Sequence, residues 1–167
     1  MLKRVISVFM LILLLAGCSG SKTEPSLCGI SFRADMVYYN ESYSFDGRIS
    51  ENGVLTALII EPEELEGLEF TLDGKTTTVN YKGLIYTPVE GSMPFCRMIE
   101  DFYSPIRTLL DEEGPTADSD GNISRGKGAD AFTLQLSPMG LPQTLKMPDD
   151  RFYVTFYNIS VNEDVNE

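Results

Sequence analysis

The sequence predicts an α+β fold: a single large curved antiparallel β-sheet of about eight or nine strands, covered by a kinked amphipathic helical insertion. Three observations carry this. Apolar and polar residues alternate with a period of two through residues 30–86 and again through residues 131–161. The dipeptides Asn52-Gly53 and Asp73-Gly74 punctuate the first block as tight hairpin turns. Between the blocks, residues 94–113 change to steps of three and four, the period of a helix with one apolar face.

Each element follows in order. Ile30, Phe32, Ala34, Met36 and Tyr38 form one face of a first strand. Asn40-Glu41 turns the chain, and Tyr43, Phe45, Gly47 and Ile49 repeat the alternation. Residues 54–60 are apolar at both parities except Thr56, which predicts a central strand covered on both sides. Pro62 ends it within an acidic connection, residues 61–66. Leu68, Phe70 and Leu72 mark the next strand, residues 76–81 return from the Asp73-Gly74 turn, and residues 83–86 add a short apolar segment. No long right-handed crossover separates these strands, so a parallel sheet is not expected.

The helix then carries Phe95, Met98, Ile99, Phe102, Ile106, Leu109 and Leu110 on one face, with Pro94 in its first turn. Pro105 has no N–H to give the helix, which predicts a kink or two short helices. Gly114-Pro115 stops the run, and residues 115–130 read as a polar, glycine-rich loop. Strands resume at residues 131–136, 141–147 and 151–161, ahead of an acidic tail, residues 162–167. One apolar sheet face needs cover, and the helix is the candidate.

The N-terminus speaks to location. Lys3 and Arg4 precede about eleven mostly apolar residues, the order of a secretory signal peptide. As a helix that run spans roughly 17 Å, short of the ~30 Å hydrocarbon core of a bilayer. Leu15-Ala16-Gly17-Cys18 follows, and it resembles the lipobox of bacterial lipoproteins. The resemblance implies cleavage between Gly17 and Cys18, fatty acylation of Cys18, and lipid anchoring at the extracytoplasmic face of the cell membrane. The expected organisation is a leader at residues 1–17, a lipidated polar tether at 18–27, a folded domain at 28–161 and the tail.

Composition narrows the function. The chain has 13 basic and 25 acidic residues, and the leader holds two of the basic ones, so the mature chain carries a formal charge of −14. Such a surface repels nucleic acid. The chain has no histidine, which removes the Ser-His-Asp and Cys-His arrangements and the commonest transition-metal ligand. No cofactor, metal site or catalytic residue is expected. Cys28 and Cys96 read either as one disulfide, outside the cytoplasm, or as two buried thiols. Five glutamates at 61, 63, 64, 66 and 69 read as a solvated connection. Asp118-Ser119-Asp120-Gly121-Asn122 matches part of an EF-hand loop, but that register places Thr116 first and Lys127 twelfth, where carboxylates belong.

The layout of strands, a Pro-interrupted amphipathic segment and C-terminal strands resembles the LolA/LppX-like half-barrel of envelope lipoproteins and lipoprotein carriers. The pieces that carry it are Glu61-Pro62, Leu65-Glu66-Gly67-Leu68, Phe70-Thr71-Leu72-Asp73-Gly74, Val79-Asn80-Tyr81-Lys82-Gly83-Leu84 and Gly140-Leu141-Pro142-Gln143. The resemblance implies that a lipid or lipoprotein acyl chain binds the concave face. Phe32, Met36, Phe45, Ile49, Leu55, Ile59, Phe70, Phe102, Ile106 and Leu109 would line that site. The alternative is that these ten side chains fill a dry core, and that the domain serves as a lipid-tethered interaction module using a strand edge or its acidic face.

Overall fold

The computed structural model describes residues 23–89, 93–148 and 151–161. The leader, the Gly17-Cys18 cleavage pair, residues 18–22 of the tether and the acidic tail lie outside the described residues.

Where the alternation is strongest, strands form: β1 (Ile30–Tyr38), β2 (Glu41–Ile49), β3 (Leu55–Glu61), β4 (Leu68–Leu72), β5 (Thr77–Tyr81) and β6 (Leu84–Tyr86). Helix α1 (Pro94–Leu110) follows, then β7 (Asn122–Arg125), β8 (Phe132–Leu136), β9 (Pro142–Lys146) and β10 (Phe152–Val161). Among the described residues the ten strands form one antiparallel sheet, ordered β6-β5-β4-β3-β2-β1-β10-β9-β8-β7. The sheet is two meanders joined where β1 meets β10, with Ala34 opposite Phe156 and Met36 opposite Val154. It is open, with β6 and β7 as its edges. These edge strands are consecutive in the chain, so the connection containing α1 must pass from one edge to the other. That crossing lays the helix over the apolar face.

Three expectations are corrected. The sheet has ten strands because β7 lies inside the segment read as a loop; its one buried apolar residue is Ile123, flanked by turn-forming Gly121 and Gly126. The helix is one continuous element through Pro105, not two short ones. Proline removes a single backbone bond there, and Pro105, Phe102 and Ile106 are all buried against the sheet, which offsets it. β3 is covered on one face only: Leu58 points outward and is 39 % exposed. Residues 23–27 of the tether dock on the domain. Ser26 N–H donates to the Gly140 carbonyl at 2.8 Å, Ala117 N–H donates to the Thr23 carbonyl at 3.0 Å, and Leu27 is buried.

Strand directions set which end is which. β1 starts, and β10 finishes, at the same end of the sheet, because Ile30 pairs with Val161. The docked segment 23–27, the Glu51–Gly53 turn and the C-terminal end of α1 share that end. The Tyr39-Asn40 turn, residues 62–67 and the N-terminal end of α1 occupy the opposite, distal end.

Candidate functional site

The ten side chains expected to line an acyl site do come together, all on the helix-facing side of the sheet. Each is at most 3 % exposed. Phe102 of α1 meets four phenylalanines, with centroid separations of 5.1 Å to Phe45, 5.9 Å to Phe156, 6.3 Å to Phe32 and 6.5 Å to Phe152. These are the offset and edge-on spacings of a close-packed aromatic core. Phe156 and Phe152 were not among the ten; they belong to the same alternating stripe of β10.

Helix α1 does not reach far enough to cover β6. Leu84 and Tyr86 share the sheet face of Val79, yet Leu84 is 74 % exposed and Ile85, on the other face, 71 %. Val89 just beyond is exposed too. Lys82 and Gly83, both at positive φ, make a two-residue hairpin between Tyr81 and Leu84. In such a hairpin the flanking pair exchanges both of its hydrogen bonds, so at Ile85 the backbone N–H and C=O point away from β5. Natural sheets usually blunt an edge with charge, proline or a bulge. β6 offers three consecutive apolar side chains instead.

A cleft of about 580 Å³ adjoins this edge, between α1 and the β4–β5 hairpin. It carries both signs of charge, from Lys75, Arg107, Glu100 and Asp111, and hydroxyls from Thr76 and Thr77. Thr77 Oγ1 donates to Glu100 Oε1 at 2.8 Å, and Arg107 Nη2 sits 2.8 Å from Asp111 Oδ1. Tyr103 donates its hydroxyl to the Gly53 carbonyl, which pins the helix to the β2–β3 turn. The cleft therefore presents fixed polar groups beside an uncovered apolar edge. Residues 83–86 are legible in the sequence as a short apolar segment, and three apolar residues in so short a strand are the signal that could have marked this edge.

The remaining expectations sort plainly. Cys28 and Cys96 are free thiols, not a disulfide. Cys28 lies next to Gly29, which packs against Glu51 at the Glu51–Gly53 end of the sheet, while Cys96 lies in the first turn of α1 at the distal end. Burial pushes both thiols above their ordinary value. Residues 63–65 of the acidic connection form a short 3-10 turn at the distal end. Asp118 spends Oδ1 on the backbone N–H groups of Asp120 and Asn122, each at 2.9 Å, which holds its carboxyl below the usual range. Among the described residues no cluster of metal-ligating side chains occurs, and no helix is long and apolar enough to cross a membrane.

Compared with known proteins, the chain matches no family model and no curated protein.

Proposed function

We propose that this protein is a lipid-anchored module of the bacterial cell envelope, cleaved before Cys18, that binds a partner protein by strand addition at β6. One observation carries the binding half: an edge strand whose Leu84 and Ile85 are more than two-thirds exposed, with an outward-facing backbone donor and acceptor at Ile85. An extended partner segment gains main-chain hydrogen bonds there and buries its own apolar side chains on Leu84 and Tyr86, while the adjoining cleft takes its polar ones. Anchoring is supported by the charged start, the short apolar run and the lipobox-like Leu15-Ala16-Gly17-Cys18. The order of strands, helix and strands supports a LolA-like half-barrel as its frame. Holding an acyl chain on the concave face, as carriers of that shape do, would require ten tightly buried side chains to part, so the interaction module is the favoured reading.

A photo-crosslinking residue at position 89 in the native cell tests this. One envelope protein should be captured reproducibly, and Ile85→Pro, which removes the outward N–H but no bond to β5, should abolish capture while leaving the fold intact. Unchanged capture by Ile85→Pro overturns strand addition. Cys18→Ala should release the protein from membranes or leave its precursor uncleaved; correct processing with full membrane retention overturns the anchor.

A further inference from the structure

At the distal end, the β1–β2 turn, the connection after β3 and the first turns of α1 enclose a groove of about 380 Å³. Four aromatic residues, Tyr38, Tyr39, Tyr43 and Phe95, line it beside aliphatic Pro62, Leu65 and Pro94, with buried Met98 and the exposed Glu41 carboxylate. The Tyr38 and Tyr39 rings stand at 86° with centroids 4.8 Å apart, forming a corner. Two of the phenols are already committed. Tyr43 donates to Glu41 Oε2 at 2.6 Å, and Tyr38 donates to Asp101 Oδ2 at 2.8 Å.

Those hydrogen bonds decide what the groove recognises. A phenol donating to a carboxylate carries more electron density on its ring, and the ring face is where a cation is attracted. With both hydroxyl hydrogens directed to carboxylates, the groove offers π-faces and negative charge. An ammonium with N–H donors is strongly hydrated and must give up part of that water to enter. A quaternary ammonium, whose charge is spread over methyl groups, loses little and gains contact with ring faces and with Met98.

We propose that this groove binds a small organic cation of the quaternary ammonium class. The ligand is a free solute and not a headgroup of the anchoring membrane, because docked residues 23–27 lead toward Cys18 from the opposite end of the sheet. That choice of source rests on the anchoring proposed above; the groove chemistry does not depend on it or on β6.

Calorimetric titration of the full mature chain with choline, with tetramethylammonium and with the neutral isostere 3,3-dimethylbutan-1-ol tests the site. Both cations should bind, and the isostere about tenfold more weakly or worse, as loss of cation–π attraction dictates. Tyr39→Ala, at a side chain 56 % exposed and outside the core, should weaken choline by about tenfold, and Glu41→Gln, which keeps an acceptor for Tyr43 but removes the charge, by several-fold. Absence of binding at millimolar cation overturns the proposal, as does equal binding of the isostere or indifference to both substitutions. Much tighter binding to phosphatidylcholine vesicles than to free choline at equal headgroup concentration overturns the assignment of source.

Discussion

The ring of Phe32 lies over Gly47, its cross-strand partner on β2, so closely that a β-carbon on the glycine would overlap it. The ring cannot withdraw, because Phe45, Phe102 and Phe156 hold it on its other sides. Gly47→Ala should therefore cost about 1–3 kcal/mol, the usual penalty of overpacking. Chemical denaturation of the two proteins measures it; an unchanged midpoint would show that the ring moves freely.

Phe102 sits at the centre of the aromatic cluster. Phe102→Ala should destabilise by about 3–5 kcal/mol, since it removes a ring that joins the helix to β1, β2 and β10. The same denaturation curves report it. A much smaller loss would mean that the sheet face is not close-packed against α1.

Arg33 donates Nε and Nη2 to Asp46 at 2.7 and 2.8 Å across β1 and β2, and this holds the Asp46 carboxyl below its usual range. A depressed carboxyl adds stability above its unfolded value of about 4 and loses it as pH falls through the folded value. Melting temperature should fall below pH 4, and Asp46→Asn should flatten that slope. Both side chains are half-exposed, so the effect is small and weakens with salt.

Tyrosine titration has the opposite sign. Burial first, and then the bond to Glu41, pushes Tyr43 up to about 12; burial and the bond to Asp101 raise Tyr38 as well. A raised group contributes fully below its unfolded value of about 10, and that contribution is lost as pH rises through the folded value. Tyrosinate absorbance should show these two phenols ionising late, with stability declining above pH 10. Early titration of all eight tyrosines would contradict the two hydrogen bonds.

Thiol chemistry checks the cysteines. Cys96 is 2 % exposed and should react with an aromatic disulfide reagent only on unfolding, whereas half-buried Cys28 should react slowly in the native state. An intact mass two hydrogens lighter than the free dithiol would show that the two are bonded.

The sheet was largely legible in the sequence because its signal is local. The alternation from Ile30 to Tyr38 and from Phe152 to Phe156 survives as buried stripes facing α1. What escaped depends on neighbours distant in the chain. Ile123 has one apolar side chain in four residues, and its strand exists because Leu134 lies opposite. Pro105 reads as a helix breaker, but burial against the sheet carries the helix through it. Leu58 and Ile60 look like core residues, yet only three-dimensional arrangement decides that, among the described residues, no element packs over Leu58 on the outer face. The β6 edge and the tyrosine corner likewise arise from which strand lies outermost and where the helix begins.

Since β1 and β10 are adjacent and run in opposite directions, with Ile30 facing Val161 at their shared end, a pull between the tether and the tail acts on a single rung at a time. The seam opens as a zipper does, from that pair inward toward Tyr38 and Phe152. Its rungs never share the load, so traction between the chain's own two ends meets a low mechanical threshold.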